Sequence, residues 1–157
     1  MNVERWLALL RESVDAFNRY RSGHSDEPVS LFEADLSFSI LPKVNFEGAD
    51  LRRCRMEGCD LSGARLDGAR MDLVNLRAAM LAGASLKGVA LFSGTFQGAD
   101  LRRTSFHGAD LKKVNFCDAD LRGAVFTGAD FSEADLRWAN YELDALADAD
   151  LSAARIR

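Results

Sequence analysis

Few side chains in this chain could do chemistry, and their spacing does not assemble them for it. The two histidines, His24 and His107, have no cysteine or carboxylate partners at metal-ligand spacing. Cys54 and Cys59 lie five residues apart, which is the step of a longer pattern rather than of a metal motif. Three cysteines, an odd number, argue against a disulfide framework. Aspartates recur at five-residue steps too, and a repeated Asp is expected to bond the backbone of a turn rather than act as a general base. No glycine-rich phosphate loop is present. The pairs Arg52-Arg53, Arg102-Arg103 and Lys112-Lys113 look basic in one dimension, but each follows Asp-Leu. They read as solvated charges that keep lateral edges from pairing, so no direct nucleic-acid binding is expected. The expectation is a protein that is not an enzyme and takes no cofactor or metal.

The pattern that positions these residues is a period of five. Every fifth residue from Leu31 to Ile156 is large and apolar: sixteen Leu, six Phe, two Met, one Tyr and one Ile. Neither an α-helix nor a flat strand has that period, so the chain reads as a repeat architecture. Two residues before each of these centres the chain is small, mostly Ala. Small residue and centre point to the same side of an extended segment, and that side is the interior. Two residues after the centre Gly dominates, as at Gly48 and Gly108, and supplies the positive φ of a type II turn. Cys54 and Cys59 fall in the small interior phase. Cys117 falls in an outward phase and is the one candidate for a reactive thiol.

Clean units are Ala49-Asp50-Leu51, Ala99-Asp100-Leu101, Ala109-Asp110-Leu111, Ala119-Asp120-Leu121 and Ala129-Asp130-Phe131. In this A-[DN]-[LF]-x-x pattern the chain resembles the pentapeptide-repeat family over about residues 34–157. The resemblance implies an all-β fold, a right-handed quadrilateral parallel β-helix with four sides per 20-residue turn. About six coils would stand ~30 Å tall at a strand spacing of ~4.8 Å. Residues 20 apart would then stack, Phe96 on Phe116 and Phe106 on Phe126.

The first thirty residues differ. Val3, Leu7, Leu10, Val14 and Phe17 follow three- and four-residue spacing with Trp6 beside them, which predicts one amphipathic helix over about residues 2–20. Arg21–Ser30 reads as a linker. The expected division is a helical cap and linker over 1–30 and the β-helix over 31–157. A solenoid leaves an apolar end and unpaired edges to be covered. Trp6, Leu7, Leu10, Val14 and Phe17, with Phe32, are expected to cover one end.

At the other end Trp138 and Leu143 occupy outward phases, and the chain stops one residue past its last centre. With Leu151 and Ile156 they form a candidate dimer end. End-to-end dimers in the family imply the same, hence a possible homodimer. Asp144 occupies an interior phase, and local distortion of the coil is expected there, because an unpaired buried charge is costly. No apolar run is long enough for a membrane helix, and no basic segment followed by an apolar stretch opens the chain. A cytoplasmic protein with no membrane partner is expected.

Function must then lie on the outer surface. The family's quinolone-resistance members bind DNA gyrase or topoisomerase IV by mimicking DNA with a negative surface. Here the side through Leu36, Met56 and Leu76 carries Asp35, Glu57, Asp118 and Asp135 against Arg55, Arg77 and Arg137. No side is a continuous acidic stripe, and a net charge of −4 is weak for a duplex mimic. Mimicry with gyrase as partner is the alternative reading. The most informative outer feature is apolar. Leu73 and Phe92 point outward one coil apart, with Met80 round the corner, and are expected to form a docking patch for a protein partner. The reading is a non-catalytic rigid scaffold for protein–protein interaction.

Overall fold

The computed structural model describes residues 2–156. Two helices open the chain where the spacing predicts one. Helix α1 spans Val3–Glu12 and α2 spans Val14–Gly23. Ser13 divides them with an extended backbone, φ −175°. Its N–H closes α1 on the Leu9 carbonyl, while its hydroxyl accepts the Ala16 N–H at 3.0 Å and starts α2. A serine suits the start of α2 because its side-chain oxygen accepts an N–H that has no carbonyl partner in the first turn. The break lets the two apolar stripes fold together, with Trp6 against Phe17 at 5.7 Å and against Tyr20 at 5.8 Å between ring centroids.

From Ser30 the chain coils. Each five-residue unit makes one parallel bridge to the residue 20 further on: Ser30 with Asp50, Asp35 with Arg55, Ile40 with Asp60, Asn45 with Arg65, and Asp50 in turn with Arg70. Four bridges per turn make four columns. The extended part of each side is too short for a continuous strand, so the sheet consists of isolated bridges. Between columns the chain turns. The Ala49 N–H returns to the Phe46 carbonyl at 2.9 Å, and Gly48 holds the required left-handed backbone at φ 66°.

The interior is the apolar phase. Every centre from Leu31 to Leu136 is buried, and the small residues pack beside them. Phe96 stacks on Phe116 at 5.3 Å with rings 5° apart, and Phe106 on Phe126 at 5.5 Å. Edge-to-face contacts join the two stacks, as between Phe106 and Phe116 at 6.0 Å.

The regular column does not run unbroken to Ile156. Leu143–Leu146 is a 3₁₀ turn that replaces one side of the coil, and the Ser105–Val125 column ends there. Leu146 still reaches the core, while Asp144 is exposed. The carboxylate at an interior phase is thus relieved by local rewinding. Bridges resume at Asp130–Asp150 and Asp135–Arg155.

Candidate protein-docking surface

The residue before each centre is the bridging residue, and its side chain lies against the following turn. Asp60 Oδ1 accepts the Ser62 N–H at 2.9 Å, and Asn75 Oδ1 accepts the Arg77 N–H at 3.1 Å. This accounts for the preference for Asp and Asn: a short side-chain acceptor satisfies the N–H two residues on. Where Arg follows the centre, the guanidinium closes a fork on the same carboxylate. Arg52 on Asp50, Arg102 on Asp100, Arg122 on Asp120 and Arg137 on Asp135 all use Nε and Nη2. The Arg137 hydrogen bond holds Asp135 down to about 2. These carboxylates are stable anions committed to structure, and none is poised to exchange protons near neutrality.

No group of metal-ligating side chains occurs among the described residues. Burial pushes the Cys54 and Cys59 thiols up to about 12. Cys117 corrects the expectation of an outward, reactive thiol. It is buried, and desolvation followed by its hydrogen bond with Asp135 raises its pKa, so the nucleophilic thiolate is suppressed.

The corner that follows the Asp50–Arg70–Ala90–Asp110 column is different in character. Leu73 is 49% exposed and Phe92 44% exposed. They sit on adjacent coils, joined by the Leu73 N–H to the Phe92 carbonyl at 3.0 Å. Asp72 Oδ1 accepts the Phe92 N–H at 3.1 Å, which fixes the backbone of the patch. Lys113 Nζ lies 5.5 Å from the centre of the Phe92 ring. Met80, although exposed, bridges Asp60 and Asp100 and stands beyond the intervening Asn75–Thr95 column. The structure therefore joins Leu73 and Phe92 and separates Met80 from them, because one corner and one whole side lie between.

A model described as pentapeptide repeats, in eight copies, matches residues 30–68, 69–108 and 104–140. The chain belongs to the pentapeptide-repeat family. Among solved structures it is similar to HetL, a pentapeptide repeat protein involved in heterocyst differentiation regulation from the cyanobacterium Nostoc sp. strain PCC 7120. That likeness has 30% identity over 82% of this chain and 70% of HetL, with a TM-score of 0.59. A second Nostoc pentapeptide repeat protein, alr5209, is 27% identical over 72% of this chain and 84% of its own, with a TM-score of 0.39. QnrB1, a plasmid-mediated fluoroquinolone resistance protein, is 23% identical over 83% of this chain and 74% of its own, with a TM-score of 0.43. No curated protein matches the chain.

At the N-terminal end of this pentapeptide-repeat coil, Trp6 and Phe17 are wholly buried, and Phe17 meets Phe46 at 5.4 Å. Leu10 is buried, and Leu7 and Val14 are partly buried against the same core. Phe32 is not part of this cover. It is 40% exposed beneath the Arg52 guanidinium, 5.4 Å from its ring. Two polar residues outside the expected set complete the end. Asn18 Oδ1 accepts the Asn45 N–H at 2.9 Å, where later coils offer the carbonyl of the coil before, as Val44 does to Arg65. Arg21 Nη2 donates to the Glu47 carbonyl at 2.8 Å, where later coils offer a backbone N–H. Their side chains stand in for a missing coil, and no period marks them in the sequence.

At the other end of the repeat, Trp138 is 70%, Leu143 84% and Ile156 48% exposed, and Leu151 is half-buried. Trp138 lies under the Arg137 guanidinium at 5.1 Å. No helix among the described residues is long and apolar enough to cross a membrane.

Proposed function

We propose that this protein is a rigid, non-catalytic scaffold that docks a protein partner on the side of its coil, at the Leu73–Phe92 corner. One observation carries the reading: two large apolar side chains, half exposed, stand on adjacent coils whose backbones are fixed to each other by hydrogen bonds. An exposed apolar pair on a fixed backbone spares a partner the cost of ordering that backbone. The likeness to HetL, a pentapeptide repeat protein involved in regulation, supports a regulatory role. On this reading the coil is the right-handed four-sided tower of about six turns, working in the cytoplasm. The exposed Trp138, Leu143 and Ile156 would pair two copies end to end.

Duplex mimicry needs unpaired carboxylates along one face. Here Asp50, Asp100, Asp120 and Asp135 each hold an arginine, which favours docking over mimicry. The decisive experiment is Phe92→Glu. It should leave the thermal melt nearly unchanged and abolish retention of the partner recovered by the parent protein from its own cells. Loss of the fold, or retention of the partner, sinks the reading. A gyrase supercoiling assay with and without a quinolone tests the alternative, and a protective effect would replace docking with mimicry.

A further inference from the structure

The four corners of the coil do not use the same residues at their left-handed position. One corner is glycine throughout: Gly48, Gly68, Gly88, Gly108 and Gly128. The next corner along the chain has no glycine at all. Glu33, Arg53, Leu73, Ser93, Lys113, Glu133 and Ala153 hold that position, with φ of 58°, 58°, 59°, 55°, 58°, 60° and 55°. L side chains disfavour this conformation because Cβ crowds the backbone. One such residue is unremarkable, but an unbroken row of them on a single corner means that side chains are displayed there despite the strain. Persistent left-handed side chains point to a functional surface. This is the corner that carries Leu73 and Phe92.

From Glu33 to Glu133 the row also has a symmetrical order of charge. Glu33 pairs with Arg53 at 3.6 Å, and Lys113 pairs with Glu133 at 3.5 Å. Between Arg53 and Lys113 lie the apolar Leu73 and Phe92. Both bases are about half exposed, with side-chain values of 59% and 47%. The acid inside this window, Asp72, already accepts the Phe92 N–H. Arg52 is occupied by Asp50, and Lys112 lies between Asp110 and Asp130. The charge nearest the apolar centre is therefore positive on both sides, and the equally exposed acids that pair with it, Glu33 and Glu133, stand one coil further out.

We infer that this corner binds an extended peptide segment in which an apolar side chain stands between two carboxylates. Arg53 and Lys113 are three coil steps apart, about 14 Å at ~4.8 Å per step. An extended chain advancing ~3.3 Å per residue covers that span in about four residues. The matching segment places acids at its first and fifth positions and the apolar residue at the third. The acids exchange with Glu33 and Glu133 for the two bases, and the apolar side chain meets Leu73 and Phe92. The inference rests on the docking reading above and names the class of partner.

The test is an NMR titration of the full chain with a synthetic peptide of glycines carrying Glu, Leu and Glu at alternate positions. The expected result is amide shifts centred on Arg53, Leu73, Phe92 and Lys113, with affinity falling about tenfold or more as salt is raised past physiological strength. The same peptide with Lys in place of Glu should leave those amides unmoved. Arg53→Glu with Lys113→Glu should abolish the shifts and preserve the melt. If that pair impairs folding, Lys113→Gln alone should weaken binding. No shift at these amides with the Glu peptide, equal shifts with the Lys peptide, or binding of phosphatidylserine vesicles or duplex DNA through the same two bases overturns the inference. A silent Glu peptide beside a Phe92→Glu variant that loses its cellular partner overturns the acidic class and leaves the docking surface. A Phe92→Glu variant that keeps its partner removes both.

Discussion

The strain at the glycine-free corner can be measured by exchanging residue types between corners. Ser93 sits at φ 55°, donates its N–H to the Lys112 carbonyl at 3.0 Å, and makes no side-chain hydrogen bond among the described residues. Ser93→Gly keeps the backbone bond and removes a Cβ from the left-handed region. That relieves about 1–2 kcal/mol of steric cost, while the extra freedom of glycine in the unfolded chain takes back about 0.5–1 kcal/mol. The net expectation is a gain of about 0.5–1 kcal/mol, read as a melting point higher by about 1–4 °C for a chain of this size. Gly108→Ala is the reciprocal change. Gly108 lies at φ 64°, and a Cβ built there meets nothing within 4 Å, so its cost is backbone conformation alone. It should destabilise by a similar amount. Urea unfolding at constant m-value measures both differences. A Ser93→Gly variant that is less stable than the parent, with a neutral Gly108→Ala, would show that left-handed backbone is not costly in this coil. The contrast between corners would then carry no functional signal.

Three further outcomes are expected. Phe116 packs against Phe96, Phe106 and Phe131, so Phe116→Ala should cost about 3–5 kcal/mol in urea, and a loss below 1 kcal/mol would contradict a continuous aromatic column. Asn18→Ala should cost about 1–3 kcal/mol and expose the Asn45 amide to rapid hydrogen exchange, because no coil precedes it to supply a carbonyl. Asp135 has its folded pKa lowered from the ordinary carboxylate value to about 2, so its contribution is full above the unfolded value and is lost as pH falls through about 2. Asp135→Asn should flatten the acid limb of the urea midpoint over that window, and an unchanged limb would refute the Arg137 fork as its cause.

Most of the coil is legible in the sequence because its rules are local. A centre, a small residue two before it and a turn two after it determine one side, and repetition stacks the sides. The buried run from Leu31 to Leu136 follows from period and phase, and the Phe96–Phe116 stack from the four-sided turn that the family resemblance implies. Phase is less reliable for an individual side chain. Cys117 follows a centre and reads as outward, yet it is buried and shares a hydrogen bond with Asp135 one coil on. Met80 reads as part of the Leu73–Phe92 patch until the bridges place it beyond another column. The glycine-free corner was available at a reading of every twentieth residue, but glycine frequency taken over all turns together conceals it.

The ends belong to tertiary structure. A repeat states what each coil requires from its neighbours, and only the folded chain shows what replaces a neighbour that is missing. Asn18 and Arg21 make that substitution through contacts with Asn45 and Glu47, far along the chain. Ser13 breaks the helix so that Trp6 and Phe17 can meet over the first coil. Near the far end, Asp144 signals a disturbance, but the 3₁₀ turn that carries it outside while keeping Leu146 in the core depends on the packing of that coil. Periodicity by itself determined a repeating coil with an apolar interior, because each turn is chosen by its own five residues, while four sides per turn came from the likeness of its units to the pentapeptide-repeat family. Which side chains share a corner, and what covers the first coil, were decided only when distant segments came together.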